Sequence, residues 1–262
     1  MLDLFVKLAN SDCRPSDFTE EFEDAIEEFK TMYHEPINLL DHGFVRLIDN
    51  MGSDLSVVRS ARVSYDAAWR AGEDTGSDER LINYMMSHQH TTPFESAAVT
   101  FEVKAPIFVF RQWHRHRTQS YNELSARYRP LPEEFYIPLP EHMGTQSKTD
   151  KQQRDIDGEA TDTQFMLAEK MRRQNEEAFA TYRLALENGV PREIARAVLP
   201  CSTYSHMFCT MNLLNLFKFL KLRCDSHAQY EIRVYADAML KLIEPLYPVS
   251  VRAFKTHVLK QD

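Results

Sequence analysis

The chain has 262 residues, 43% of them hydrophobic, and its 31 Lys and Arg against 39 Asp and Glu give a formal charge of −8. That is ample apolar mass for a sizeable core, and the acidic balance disfavours nonspecific nucleic-acid binding, which needs a basic surface able to release many counterions. With 7 glycines and no G-x-G-x-x-G or G-x-x-x-x-G-K-[ST] string, neither a Rossmann turn nor a P-loop is available, so any phosphate must be held largely by side chains. Cys13, Cys201, Cys209 and Cys224 form no C-x-x-C pair and read as reduced packing residues, with no metal site. Neither a secretory leader nor an apolar run of membrane-spanning length is present, so the expectation is a soluble cytoplasmic protein with no membrane partner.

Near the N-terminus Phe18, Phe22, Ile26, Phe29 and Tyr33 recur at helical spacing, with Glu20, Glu21, Glu23, Glu27 and Glu28 largely filling the other face and Ser16 placed as N-cap. Residues 1–38 are therefore expected to form a helical extension docked on a body of residues 39–262. Val45 to Ile48 reads as a short strand, and Ser56 to Tyr65 as a helix carrying Arg59 and Arg62 on one side. Ser77 to His88 reads as a second helix. In Ala98 to Lys104, Val99, Phe101 and Val103 alternate with Thr100, Glu102 and Lys104, the period-two pattern of a half-buried strand. Pro106 ends that strand and is placed to open a helix running to His116, with Arg111 and Arg115 one turn apart on one side and Gln112 and His116 in a neighbouring row.

Leu139 to Thr163 is long, polar and aperiodic, which predicts a mobile surface excursion or lid. Helices are then expected over Gln164 to Asn188, Pro191 to Val198, Ser205 to Leu222, and Asp225 to about Leu246. The last buries Ala228, Ile232, Tyr235, Met239 and Ile243 and is capped by Asp225 or Ser226. Strands in the middle with helices packed at both ends predict a single-domain α+β fold around an antiparallel or mixed sheet.

The chemistry concentrates between Arg111 and Arg129, where five arginines with His114 and His116 face one acid, Glu123. Arginine forks match phosphate oxygens two at a time, and Gln112, Ser120, Asn122, Ser125, Trp113, Tyr121 and Tyr128 interleave them, which favours a nucleotide site over a merely solvated basic face. The string RHR, then seven residues and Ser, within RQWHRHRTQSYNELSARY, resembles the signature of the flavin-dependent thymidylate synthases. Further matches follow in the family's order: Asp41 to Asp66, His90 to Glu95 (HTTPFE), Lys104 to Arg111, Pro191 to Pro200, and Leu222 to Glu231 (LRCDSHAQYE).

The resemblance implies reductive methylation of dUMP to dTMP, with methylenetetrahydrofolate as carbon donor, FAD as redox carrier, NADPH as reductant, and a homotetramer sharing its FAD sites. It gives Arg223 the catalytic role, stabilising negative charge on the pyrimidine, a part suited to a fixed cation. It further implies dUMP contacts from Gln112, Arg115, Glu123, Ser125, Ala126, Arg127 and Arg196. Its FAD contacts fall on Ser64, His90, Thr92, Arg115, His116, Arg117, Glu123 and Asn212, and less directly on Leu214, where the family pattern leads one to expect arginine, and on Lys218. Glu95 is read as orienting arginines. Asn212, in a nearly all-apolar stretch, needs a partner, either a cofactor or a helix cap or core hydrogen bond.

Three other readings compete. Leu199-Pro200-Cys201-Ser202 superficially matches the nucleophile site of the cysteine-dependent thymidylate synthases, but serine follows the cysteine and no other piece of that family is present. The pairs His88 and His90, and His114 and His116, offer imidazoles to a metal that the flanking arginines would repel. An RNA-binding surface built on the arginine-aromatic stretch would be colourless and strongly salt-dependent, whereas a flavoprotein is yellow and bleaches on reduction.

Overall fold

The computed structural model describes residues 35–260 except 150, 152 and 157. The expected N-terminal helix falls outside them. Alternation sets the sheet. In β3 (Ala98–Pro106), Val99, Phe101 and Val103 are at most 1% exposed, and they meet Leu47 and Val45 of β2 (Gly43–Met51) on one side and Met211, Cys209 and Met207 of β7 (Tyr204–Asn212) on the other. The order is β1-β2-β3-β7-β4, with β1 (Ile37–Leu39) and β4 (Ser120–Glu123) at the edges and every pair antiparallel. The fold is α+β. Residues Leu47, Phe101, Cys209 and Tyr121 form one cross-strand row, the unit by which a sheet presents a continuous apolar face.

Helices α1 (Asp54–Arg62), α2 (Thr75–Ser87) and α3 (Ile107–Trp113) pack on the sheet's core, whereas α4 (Pro140–Met143), α5 (Asp162–Glu187) and α6 (Arg192–Ala195), after the excursion, form a separate group in which Phe179, Tyr182 and Ala195 make a second, smaller core. The last three, α7 (Leu213–Arg223), α8 (Tyr230–Ile243) and α9 (Pro248–Phe254), bury most of their residues in the sheet's core. Each large apolar side chain so buried contributes roughly 1.5–3 kcal/mol before entropy is charged against it. In α8, Ile232, Tyr235, Met239 and Ile243 are all fully buried at the spacing the sequence predicts. A Cβ on Gly43 would run into Tyr235 Oη of this helix and lie 2.8 Å from the backbone carbonyl oxygen of Leu39, so glycine is required.

One carboxylate ties the two ends of the described chain. Asp54, 9% exposed, accepts from Val249 N (2.8 Å), Ser250 N (3.0 Å) and Ser250 Oγ (2.5 Å), and so caps α9 from 195 residues away.

The structure corrects several expectations. Residues Ser205 to Asn212 are strand, because pairing with β3 on one edge and β4 on the other satisfies their backbone and buries alternate residues. The helix starts only at Leu213. The helix after Pro106 stops at Trp113, so Arg115 and His116 lie in the turn beyond it and Arg111 and Arg115 do not share a helical face. Asp225 accepts from His227 N (2.8 Å) and pairs with its ring, making a local turn instead of capping a helix; α8 begins at Tyr230. Residues 139–163 carry α4 and a hairpin of β5 (Thr145–Gln146) and β6 (Arg154–Asp155), held to the body by Arg154. Cys201 is exposed, so it is not the packing residue expected; Cys209 and Cys224 are buried and half-buried, and Cys13 lies outside the described residues.

Candidate functional site

Arg223 ends α7, and its stem emerges beside the turn that follows α3. Its Nε–H donates to His116 Nε2 at 3.0 Å and its Nη2 donates to the carbonyl oxygen of Gln112 at 3.3 Å, both neutral acceptors. No carboxylate pairs with it among the described residues. Burial lowers its pKa from the ordinary value, which marks a cation held partly out of water without a counter-charge. Such a group is primed for an anion, or for an electron-poor ring acquiring negative charge.

His116 is held neutral by the same arrangement. Burial first, and the Arg223 charge second, push it down to about 4 from 6.5. Between those values an unfolded chain binds a proton here that the folded protein refuses, so stability should fall as pH drops through that window. Thermal unfolding followed from about pH 7 to about pH 4 should show this slope, and His116→Gln should flatten it.

The turn itself rests on the core. Trp113 is fully buried, packs on Phe219 at 4.6 Å between ring centroids, and donates from Nε1 to Gln119 Oε1 at 3.0 Å. Tyr121 donates to the carbonyl of His116 at 2.6 Å. The backbone carrying Arg115, His116 and Arg117 is thereby fixed while both arginine heads stay exposed.

The other candidate residues fall into two further groups. Around β4, Glu123 accepts from Ser205 Oγ (2.6 Å), Ser125 Oγ accepts from Arg127 N (3.3 Å), Ala126 is buried, and Arg127 lies 3.7 Å from Glu193. Arg196 follows that same α6 segment, exposed. At the opposite end of α7, Asn212 caps the helix by accepting from Asn215 N at 2.9 Å, so the capping alternative is the one observed. The turn Thr92–Ser96 packs there, with Thr92 and His90 exposed, and Ser64 is exposed in the turn after α1. Glu95 is exposed, Leu214 is 8% exposed and packs in the core, and Lys218 is exposed halfway along α7. Eleven residues of helix put Asn212 and Arg223 roughly 16 Å apart. The candidate residues thus fall at both ends of α7.

Arg59, Arg111, Arg115, Arg117, Arg129 and Arg196 have no hydrogen bond or ion pair from their heads among the described residues, in a chain with an excess of acids. Unpaired forks such as those of Arg115 and Arg117, which share one turn, suit the oxygens of an anionic ligand. No group of three or more His, Cys, Asp or Glu among the described residues is arranged to hold a metal, and no described helix is long and apolar enough to cross a membrane.

Three residues that sequence reasoning gave no role lie against this site. Gln112 Nε2 donates to Gln229 Oε1 (2.5 Å), Gln229 Nε2 donates to Glu231 Oε2 (2.8 Å), and Glu231, 1% exposed, pairs with Arg154 (3.0 Å). The only signal for Glu231 was its place in the LRCDSHAQYE string; Arg154 sits in the aperiodic excursion and had none.

Cys201 presents its thiol to solvent with no hydrogen-bonded base among the described residues, so nothing activates it. Cys201→Ala should keep turnover within about twofold of the parent in a product assay, the range of an ordinary surface substitution.

The family profile described as thymidylate synthase complementing protein matches residues 46–249. A flavin-dependent thymidylate synthase of Ehrlichia ruminantium (strain Gardel) is 42% identical over 262 residues, all of this chain and 86% of that protein. The like-named protein of Thermus thermophilus is 46% identical over 224 residues, 86% of this chain and 80% of its own. Among solved structures, a UMP/dUMP methylase, PolB, from Streptomyces cacaoi bound with 5-Br dUMP superposes with a TM-score of 0.76 at 39% identity, covering 85% of this chain and 98% of that one.

Proposed function

The chain belongs to the thymidylate synthase complementing protein family, and from that premise we propose that Arg223 acts on the pyrimidine of dUMP while the exposed arginines hold its phosphate and a flavin nucleotide. The protein is a flavin-dependent thymidylate synthase, a methyltransferase of the flavoprotein kind. One observation carries the site assignment: a half-buried guanidinium with no acid to neutralise it, braced by two neutral acceptors inside the arginine-rich turn.

Within the proposed site, Arg223 places positive charge beside N3 and the neighbouring carbonyls and stabilises charge developing on the ring toward C5. Its environment does not need to reorganise, since His116 and the Gln112 carbonyl already fix its direction. Arg115, Arg127 and Arg196 suit the phosphate dianion, each charge-assisted hydrogen bond contributing about 1.5–3 kcal/mol. Gln112, Glu123, Ser125 and the backbone at Ala126 serve the base and sugar. On the cofactor side Arg115, His116, Arg117 and Glu123 form one cluster, and Ser64, His90, Thr92 and Asn212 form another, with Lys218 between them and Leu214 contributing at most backbone. When bound, FAD supplies the hydride that completes the methyl group. The proposed carbon donor is methylenetetrahydrofolate and the proposed reductant is NADPH.

We further propose a homotetramer in which each flavin is held by residues of several subunits. Two features support it: the span of α7 between the clusters, and the exposed Phe165, Met166, Leu167, Met171 and Leu184 along α5, apolar side chains without cover among the described residues. Residues 1–38 are proposed as an extension to the enzyme body, and gel filtration of the chain without them tests whether they alter assembly. The test of the reading as a whole is a visible spectrum of the purified protein. It should be yellow, shift on adding dUMP, bleach with NADPH, and yield dTMP once methylenetetrahydrofolate is added. A colourless protein that makes no dTMP with added FAD would overturn it.

A further inference from the structure

Glu231 lies at the start of α8 with its carboxylate sealed from solvent, and everything that touches it is a donor. Tyr136 Oη donates at 3.1 Å, Arg154 Nη2 at 3.0 Å and Gln229 Nε2 at 2.8 Å. A carboxylate accepts only, so the Gln229 amide has one allowed orientation: nitrogen toward Glu231, oxygen away. That oxygen is where Gln112 bonds, at 2.5 Å, so Gln112 must turn its own nitrogen toward Gln229. Its Oε1 is left without a partner among the described residues, next to the backbone carbonyl that steadies Arg223. A buried charge thus sets the polarity of two neutral amides in series, and the final amide is the one in contact with the site.

The charge is kept in place by the polar excursion. Besides its ion pair with Glu231, the Arg154 guanidinium sits 5.8 Å from the centroid of the Tyr230 ring, which also stacks obliquely on His142 at 4.8 Å, and Gln153 Nε2 reaches the carbonyl of Ser226 at 3.4 Å. The hairpin therefore latches onto the residues that lead from Arg223 into α8.

We propose that Glu231 is a positioning residue that makes Gln112 present an acceptor to the nucleotide base, and that Arg154 is the latch that holds Glu231 for this task. An acceptor matches the N3–H of uracil and opposes the unprotonated N3 of cytosine, so the relay favours uracil over cytosine nucleotides. The inference rests on the assignment of dUMP to this site.

The experiment is steady-state kinetics of the full chain with FAD, comparing the parent with Arg154→Gln, Arg154→Lys and Glu231→Gln, with dCMP as competitive inhibitor and thermal unfolding of each variant alongside. Arg154→Gln should raise KM for dUMP about tenfold with kcat changed less than about threefold, the mark of lost binding common to ground and transition states. Arg154→Lys, which keeps a donor and a charge, should recover most of that loss. Glu231→Gln, whose amide can also donate, frees Gln229 to flip and should narrow the preference for dUMP over dCMP by about tenfold. An unchanged KM in Arg154→Gln, or losses of kcat and KM that merely follow lost folded protein and are not rescued by lysine, overturns the inference. A parent enzyme that turns over no dUMP defeats the underlying assignment and the inference with it, whereas an active parent with an indifferent Arg154→Gln defeats the inference alone.

Discussion

Replacing Arg223 with alanine should lower kcat for dUMP methylation about 10²–10³-fold, the usual consequence of deleting a preorganised group that stabilises developing charge. The guanidinium is already aimed by His116 at 3.0 Å and the Gln112 carbonyl at 3.3 Å, so none of its effect is spent on ordering during the reaction. Flavin absorbance should persist, because the arginines suited to a diphosphate, Arg115 and Arg117, are separate and remain. Lysine at 223 should recover little, since a point charge cannot span two neighbouring acceptors as a fork does. Turnover above about a tenth of the parent in the alanine variant, with flavin still bound, would remove Arg223 from the chemistry.

Trp113→Ala should cost about 3–5 kcal/mol of stability, the range for deleting a large aromatic from a well-packed core. For a chain of this length that is a fall in Tm of roughly 6–20 °C, read by circular dichroism at one fixed protein concentration. Trp113 contacts Phe219 of α7 and, more distantly, Tyr235 of α8, so it joins the helix that ends in Arg223 to the turn that carries Arg115 and Arg117. The void would therefore loosen both halves of the candidate site at once. A shift of less than about 2 °C would show that this packing is not what holds the turn.

Much of this was legible in the sequence, for physical reasons. β3 declares itself because it is central and one face is sealed, so its alternation is strict and Pro106 closes it. β7 does not. Tyr204, Met207, Phe208 and Met211 also fit helical spacing, and only pairing with two neighbours far off in the chain decides for the strand. The arginine cluster was visible as a local density of charge against an acidic background. Its geometry was not: Arg223 comes to rest on a turn 107 residues earlier, and Asp225, a good cap by type, is consumed by His227. The Arg154 and Glu231 pair spans 77 residues, and its arginine lies in an aperiodic stretch, where neither spacing nor composition points to a partner.

Asp54 carries a consequence for how this protein is born. Its carboxylate is placed early in the chain yet finds its three donors only at Val249 and Ser250. While the ribosome is still making α8, that acid must stay hydrated and the strand beside it unsealed, because burying it unpartnered is prohibitively unfavourable. The final turns of the polypeptide thus act as the closing stitch, and a chain ended before Val249 should lose stability out of proportion to the few residues removed, because Asp54 is left without its three donors.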